Sequence, residues 1–248
     1  MKNITSYFKA AIKSILMLSL LLTFIASNNS YSQDKTPRSF GEQGKNKRYT
    51  SFALGMGAAY GNNKSLNTFI GYELPGYNYL TDNQKLTDFR TAFEFFGNVE
   101  RQVSKNIAVK LDYSYLIKSN SVSSFVNNTF DYNNHQIVLT LNYVIPGAYH
   151  FIKFGAGAGP VFSSLDSKSY ITNIGTYTST GVMAKAEGTF SIQMGKNLAG
   201  YINGYIGNVF AGNLKDSNKN ELKNANGDTV NLSSFMIGLR LGIEFYIF

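Results

Sequence analysis

From residue 49 onward, apolar and polar side chains alternate along the chain with a period of two. Such alternation is typical of β-strands that have one apolar and one polar face. Eight runs show it, the last being the most regular and the seventh the weakest because apolar, Gly and Tyr residues occur on both of its faces. The runs lie near 51–60, 89–100, 107–117, 137–143, 152–159, 182–192, 198–207 and 235–247. The sequence therefore predicts eight amphipathic strands.

The connections between these runs are alternately short and long. Short links follow the second, fourth and sixth runs, at 102–105, 146–148 and 194–197. Long polar stretches follow the first, third, fifth and seventh runs, near 62–87, 119–134, 163–179 and 211–231. Because tight turns that alternate with long loops are typical of transmembrane β-barrels, we predict an all-β, antiparallel up-and-down barrel whose apolar face contacts lipid. A ten-stranded barrel stays open, since Pro75-Gly76 is a turn signal that would make 66–80 a separate hairpin.

The first 32 residues have the pattern of an export signal. Lys2, Lys9 and Lys13 precede a twelve-residue apolar run, 15–26, and Ser30 and Ser32 supply small residues for cleavage before residue 33. The run is too short to span a bilayer as a helix. We predict a signal peptide over 1–32, with an N-terminal anchor as the alternative. The polar stretch 33–48 is expected to be a flexible periplasmic tail, and 49–248 the barrel domain.

Composition excludes several classes of protein. Only 15% of the 248 residues are charged, against about 25% in a typical soluble domain. The lack of Cys excludes a disulfide scaffold, a thiolate zinc site and a Cys nucleophile, and two His are too few for a multi-histidine metal centre. Removing 1–32 lowers the net charge from +8 to +5. The remaining basic residues are dispersed, so we expect no nucleic-acid partner, no metal and no cofactor.

Candidate motifs for catalysis and ligand binding are incomplete. The glycine-rich run 155–160 has Pro160 where a phosphate-binding loop needs its third Gly. The stretch 216–227 resembles the first half of a calcium loop, but Glu221 replaces the turn Gly and Gly227 replaces the bidentate Glu. Asn226-Gly227 is better interpreted as a hairpin tip. Neither His135 nor His150 begins a His-x-Ser pair, so we expect no enzymatic activity.

The polar faces of the predicted strands carry many charges. An eight-stranded barrel has a lumen just wide enough to be filled by side chains, where buried charges must pair or bind water. We therefore predict an internal ion-pair network that plugs the barrel, with a narrow polar conduit as the alternative because several inward residues are Gly. The predicted network comprises Arg90, Glu94, Lys110, Asp112, Lys153, Lys185, Glu187, Arg240 and Glu244.

Aromatic residues concentrate near the strand ends, as in the girdles at membrane interfaces. The predicted girdle comprises Tyr49, Tyr60, Tyr113, Tyr115, Tyr143, Tyr149 and Phe245.

The export signal, the eight alternating strands and the last strand, 238–248, together resemble the small eight-stranded outer-membrane β-barrels of Gram-negative bacteria. The resemblance covers 49–248. It implies a location in the outer membrane after signal-peptide-directed export. It also implies that Phe245, Tyr246 and Phe248 form a C-terminal signal for the barrel-assembly machinery. Phe248 is out of phase with the apolar face, so we expect a bulge near 244–246 or a terminal residue outside the ladder.

The fold class alone does not supply a physiological role. We expect a non-enzymatic, porin-like protein of the Gram-negative cell envelope with a structural or interaction role through its long loops. Aromatic residues in these loops would contact a partner or pack onto the barrel mouth: Tyr72, Tyr77, Tyr79, Phe125 and Phe130. Expected partners are outer-membrane lipid, the assembly machinery during biogenesis, and an envelope protein or surface polysaccharide. A narrow channel for a small solute and a subunit of a larger envelope complex remain the alternatives.

Overall fold

A computed structural model describes residues 48–72, 90–123, 127–169, 175–224 and 227–247, which form one closed barrel. Its elements are β1 (Thr50–Asn62), α1 (Lys64–Tyr72), β2 (Thr91–Ser104), β3 (Ile107–Ser123), β4 (Asn127–Pro146), β5 (His150–Ser169), β6 (Gly175–Gln193), β7 (Leu198–Ala211) and β8 (Ser234–Ile247). Each strand is antiparallel to its neighbours, and β1 pairs with β8. The predicted eight-stranded up-and-down barrel is confirmed. The ten-stranded alternative is wrong, because eight strands close the barrel and α1 occupies the start of the proposed extra hairpin.

The barrel is apolar outside and polar inside, the reverse of a water-soluble domain. Along β8, Phe235, Ile237 and Leu239 are exposed on the outer wall, whereas Arg240 and Glu244 are buried in the lumen. The other strands show the same alternation. This arrangement is stable where lipid rather than water surrounds the wall. Within the described ranges, no helix is both long and apolar enough to cross a membrane.

The short connections lie together at one end of the barrel, here called the turn end. They link β2 to β3, β4 to β5 and β6 to β7, as predicted, and β1 begins and β8 ends there too. One register shift occurs at this end, between Gln102 and Ser104. The ladder between β1 and β8 runs without a shift through Ile247, so the bulge expected near 244–246 is absent from the described residues. Phe248 lies outside them, as do the predicted signal peptide, 1–32, and nearly all of the tail, 33–48.

The strands differ in length, and the longer ones project from the opposite end, here called the loop end. β3 to β6 have 17 to 20 residues, whereas the other strands have 13 or 14. A strand needs about 9 to 11 residues to cross a bilayer. Much of the predicted loops at 119–134 and 163–179 is therefore strand, because the backbone ladders continue beyond the apolar belt.

The single described helix, α1, begins directly after β1 at the loop end. The side-chain oxygen of Asn63 accepts a hydrogen bond from the Leu66 N–H at 2.8 Å, which caps the first turn. Leu66, Phe69 and Ile70 share one face of the helix and are buried. The N-cap at Asn63 and the helical spacing of these three apolar residues explain why this part of the predicted polar loop is a helix. The helix lies on the barrel mouth.

Candidate functional site

The lumen buries nine charged side chains, four basic and five acidic. Two of the predicted assignments change. Arg90 lies one residue before β2 at the loop end and donates a hydrogen bond to the Tyr60 hydroxyl at 3.0 Å, so it stands outside the set. Glu100, which the sequence analysis left out of the predicted network, is inside. The buried set is Glu94, Glu100, Lys110, Asp112, Lys153, Lys185, Glu187, Arg240 and Glu244.

Three of these groups form the turn-end cluster, Glu100, Lys153 and Glu244. The Lys153 Nζ lies 2.7 Å from Glu100 Oε1 and 2.8 Å from Glu244 Oε1. Neutral donors complete both carboxylates at 2.6 to 2.7 Å, namely Tyr49 and Asn142 to Glu100, and Ser51, Ser191 and Tyr246 to Glu244. One ammonium and five neutral donors therefore hold two buried negative charges, which satisfies the hydrogen-bonding capacity of the carboxylates.

Aromatic rings surround the ammonium group of this cluster. The Lys153 Nζ lies 5.4 Å from the Tyr49 ring centroid, 5.3 Å from that of Tyr246 and 6.0 Å from that of Phe151. Such contacts add to the stabilisation of a desolvated cation. The predicted girdle is wrong for Tyr49, which points into the lumen because it stands on the inward-facing register of β1.

The residues of the predicted assembly signal point in different directions. Phe245 is exposed on the outer wall, whereas Tyr246 is fully buried in the lumen. Phe248 lies outside the described residues. Tyr246 thus has a structural contact of its own, since its hydroxyl donates to Glu244.

The other six charges form the central cluster: Glu94, Lys110, Asp112, Lys185, Glu187 and Arg240. Arg240 contacts two carboxylates, with Nη2 2.6 Å from Glu94 Oε1 and Nη1 2.8 Å from Asp112 Oδ2. Lys185 also pairs with Asp112, and both Lys110 and Lys185 pair with Glu187. Charges of opposite sign are balanced here, three against three. Because each cation bridges strands distant along the chain, the cluster ties the barrel wall together across the lumen.

The guanidinium of Arg240 lies close to two aromatic rings. Its Cζ lies 4.5 Å from the Tyr205 ring centroid and 5.3 Å from that of Phe96. The Tyr205 ring lies against Gly238, where an added Cβ would stand 2.2 Å from a ring carbon. Gly238 therefore makes room for the ring that covers the central cation.

Two of the inward glycines that suggested a conduit, Gly155 and Gly157, lie against the side chains of a neighbouring strand. A Cβ on Gly155 would meet the Asn142 side chain at 1.9 Å, and one on Gly157 would meet the Thr140 side chain at 2.5 Å. The glycines thus accommodate neighbouring side chains. Toward the loop end, an apolar layer follows the central cluster, which comprises Ala59, Ala92, Leu116, Val138, Val161, Met183, Tyr205, Val209 and Met236. Such a layer opposes the passage of ions.

Beyond this layer, the loop end folds into a cap of its own. We define the outer cap as α1, residues 212–233 and the projecting parts of β3 to β6. Its core comprises Leu66, Phe69, Ile70, Phe130, Leu165, Leu214, Leu222, Val230 and Leu232. Phe130 is fully buried in this core, so it packs onto the mouth. The side chains of Tyr72, Tyr77, Tyr79 and Phe125 lie outside the described residues.

Residues 213–231 form a three-way junction within the cap. Three backbone hydrogen bonds of 2.9 Å join Leu214, Leu222 and Val230 in a cycle. Isolated bridges extend from it: Asn213 to Asn231 closes the stem, Lys215 to Glu221 forms one arm, and Lys223 to Thr229 forms the other. The eight-residue spacing of the three apolar residues places each side chain in the cap core.

The two arms of the junction end in equivalent tips, 216–220 and 224–228. In each tip the first N–H donates to the fifth carbonyl, and the fourth N–H donates to the first carbonyl. The fourth residue has a left-handed backbone, Lys219 with φ 67° and Gly227 with φ 86°. Asn226 lies outside the described residues, but Gly227 stands in a hairpin tip.

Asp216 organises the first tip. Its carboxylate accepts hydrogen bonds from the Asn220 side chain and from the N–H groups of Asn218 and Asn220, at 2.8 to 3.0 Å. These contacts, first that of the Asn220 side chain, hold the pKa of Asp216 below its ordinary value. The carboxylate that resembled a calcium ligand therefore closes a turn. Among the described residues, no group of three or more His, Asp and Glu side chains could hold a metal ion.

The outer face of the projecting wall is polar. Ser119, Asp131, Asp166 and Thr176 stand side by side across β3 to β6. The Ser119 hydroxyl donates to Asp131 at 2.6 Å, and that of Thr176 donates to Asp166 at 2.5 Å. This row lies beyond the apolar belt and presents carboxylates and hydroxyls to solvent.

Both histidines have structural neighbours at the barrel rims. His135 shares a 2.8 Å hydrogen bond with the Tyr113 hydroxyl and stacks on Tyr115 at 4.6 Å between centroids. His150, the first residue of β5, packs against Phe190 with 5.7 Å between the ring centroids. Both imidazole rings therefore pack against aromatic neighbours at the ends of the barrel.

Comparison with known proteins reveals a similar fold but no similar sequence. No protein-family model matches the chain. No curated protein matches it either. Among solved structures, Neisserial surface protein A aligns with a TM-score of 0.50 at 10% identity, over 80% of this chain and 96% of its own.

Two further outer-membrane proteins align over most of the barrel. Ail, the attachment invasion locus protein of Yersinia pestis, crystallised with the heparin analogue sucrose octasulfate, has 8% identity and a TM-score of 0.47, over 81% of this chain and 99% of its own. OprG from Pseudomonas aeruginosa has 6% identity and a TM-score of 0.47, over 80% and 95%. The closed barrel of eight antiparallel strands, together with the alignment to Neisserial surface protein A, gives the chain the fold of the small eight-stranded outer-membrane β-barrels.

Proposed function

We propose that this barrel resides in the outer membrane after export, is not an enzyme, and acts through its outer cap as an interaction surface for an envelope protein or a surface polysaccharide. The observation that carries the proposal is the cap core of nine buried apolar residues. Loops that only connected strands would not need a shared core. A packed core instead holds the polar outer face of the cap in one shape, which lowers the entropic cost of binding.

The exposed surface of the cap suits polar contacts. Its two tips present amide, ammonium and carboxylate groups of Asn218, Lys219, Asn220 and Asp228, and the second arm adds the ammonium of Lys223. On the outer face of the projecting strands, Asp131 and Asp166 add carboxylates that accept hydrogen bonds from neighbouring hydroxyl groups. Hydrogen-bonding groups of this kind bind sugars or the polar rim of a protein interface.

The filled lumen argues against the alternative of a solute channel. Two charge clusters and an apolar layer occupy it in succession. Opening a path would separate buried ion pairs, which is costly. The subunit of a larger envelope complex is one form of the proposed role, because such a complex would also contact the cap.

Site-directed cross-linking in intact cells tests the proposal. The chain has no Cys, so Lys219→Cys in the first tip and Lys196→Cys at the turn end provide matched single attachment sites. Both positions are exposed. With a photoreactive maleimide, we expect a discrete adduct from the cap position only. Its sensitivity to protease or to glycosidase separates a protein from a polysaccharide partner.

Two results would contradict the proposal. One is the same pattern of adducts from both positions, and the other is the lack of any adduct from Lys219→Cys and Lys223→Cys. Conductance of the purified barrel in a planar bilayer provides a second readout. We expect no unitary steps, whereas regular steps would favour the channel.

A further inference from the structure

The outer wall of the barrel has a groove near the turn end. It has a volume of about 420 Å³ and lies over β3, β4 and β5. Its side walls are apolar: Ile107, Leu141, Tyr143 and Phe154. Ala156 stands opposite Leu141 in the ladder, beside the larger residues, and forms the groove because its side chain is short. The groove opens on the lipid-facing surface.

The charge at the turn end has one sign. Arg48, Arg101, Lys105 and Lys196 are exposed there. Among the residues described at this end, 48–50, 99–107, 145–150, 193–198 and 245–247, no Asp or Glu is exposed, since Glu100 is buried. The cap at the loop end carries exposed charges of both signs. The turn end is therefore a basic rim on an apolar wall.

One of the four exposed basic residues, Lys105, lies in the turn that leads into a strand lining the groove. Lys105 precedes Ile107 by two residues in the β2–β3 turn. The Gln102 side chain donates to the Lys105 carbonyl at 2.9 Å, and the Asn106 side chain donates to the Val144 carbonyl at 2.9 Å. The first bond ties the turn to the end of β2, and the second holds it against β4, which also contributes Leu141 and Tyr143 to the groove.

We propose that this groove binds one acyl chain of an anionic glycerophospholipid, with Lys105 contacting its phosphate. An apolar groove alone would accept any hydrocarbon chain. A flexible ammonium at the polar margin adds selection for a negatively charged headgroup, which a zwitterionic lipid satisfies less well. The inference is independent of the cap and of its partner, because it rests on the wall at the other end of the barrel.

Native mass spectrometry of the refolded full barrel tests this site. The probes are phosphatidylglycerol and phosphatidylcholine with identical acyl chains, added together in detergent. We expect one phosphatidylglycerol molecule to be retained in preference to phosphatidylcholine. Lys105→Gln should reduce the preference about fivefold, the factor that corresponds to roughly 1 kcal/mol per basic residue near a membrane surface. Ala156→Leu fills the groove and should reduce retention of both lipids.

Two matched variants separate the groove from general effects. Lys196→Gln removes an exposed charge at the same end but away from the groove, and Ala58→Leu enlarges an outward Ala on β1. Both should retain lipid like the unaltered chain. The proposal is overturned if Lys196→Gln lowers the preference as much as Lys105→Gln, or if Ala156→Leu leaves retention unchanged. Should Ala156→Leu fail to fold, the comparison of Lys105→Gln with Lys196→Gln still tests whether the charge beside the groove selects the anionic lipid.

Discussion

The lumen and the outer cap belong to the same sheet but follow opposite rules of burial. In the membrane part of β4, Leu139 and Leu141 point outward while Thr140 is buried inside. In the projecting part of the same strand, Asp131 points outward and Phe130 is buried inside. The apolar residues thus move from odd to even positions without a break in the ladder.

The reversal marks where lipid gives way to water. A strand keeps its alternation of side chains throughout, so only the choice of the apolar face can change. In lipid the polar face must turn inward and satisfy its charges there, whereas in water the apolar face turns inward and forms an ordinary core. β5 shows the same change, with Phe154 outward below and Leu165 inward above. The lumen is therefore stabilised by ion pairs and the cap by apolar packing.

The largest expected effect comes from removing the central cation of the lumen. Arg240→Met leaves Glu94 and Asp112 buried without their shared partner. Breaking a buried pair in this way costs about 3 to 5 kcal/mol. We expect the free energy of unfolding of the whole barrel to fall by that amount in urea titrations followed by circular dichroism.

Neutralising Glu94 together with Arg240 should restore most of this loss. The double variant with Glu94→Gln and Arg240→Met keeps the central cluster balanced at two against two, because Asp112 retains Lys185 as its partner. Arg101→Met, on the exposed wall, is the control and should change stability by less than about 0.5 kcal/mol. A loss of similar size in the double variant would mean that packing, and not charge, carries the effect of Arg240.

A smaller and local effect is expected from the cap core. Leu214→Ala removes a fully buried side chain at the three-way junction. Such a cavity costs about 2 to 3 kcal/mol where the surroundings relax in part. Because Lys215 pairs with Thr178 of β6 through an isolated bridge and not through a continuous ladder, we expect faster cleavage of 212–233 in limited proteolysis while barrel unfolding stays unchanged. Lys223→Ala is the exposed control, and global destabilisation by Leu214→Ala would show that cap and lumen are one cooperative unit.

The smallest effect concerns the two tips of the cap and depends on pH. The lowered pKa of Asp216 means that its carboxylate stabilises the folded tip at neutral pH, and that this contribution is lost as the pH falls through the lowered pKa. The second tip has Asn224 at the equivalent position, where its side chain accepts from the Asp228 N–H and does not titrate. Amide hydrogen exchange should therefore show the first tip, but not the second, losing protection in acid after correction for intrinsic rates. Asp216→Asn should remove the difference between the two tips, and equal loss of protection in both would contradict this account.

The parts of the lumen that sequence reasoning identified are those on regular strands. Glu94, Lys110 and Arg240 follow from period two alone, because every second residue of an amphipathic strand faces the same side. Glu100 carries the same signal, since it is six residues from Glu94 and the predicted run includes it, yet the predicted network leaves it out. Arg90 is not part of the observed network, because β2 begins at Thr91, two residues after the predicted start at 89, and Arg90 contacts Tyr60 at the loop end.

The sequence by itself determined the closed barrel, its strand number, its polar interior and the ends at which short and long connections lie. These properties depend on local alternation and turn chemistry, which each strand carries in its own residues. The pairing of the charges was decided only by the tertiary structure, because Lys153 meets Glu100 and Glu244 across the lumen from strands far apart in the chain. The formation of the outer cap was likewise decided only by the tertiary structure. Its core forms only when α1, the projecting strands and the three-way junction bring their apolar residues together.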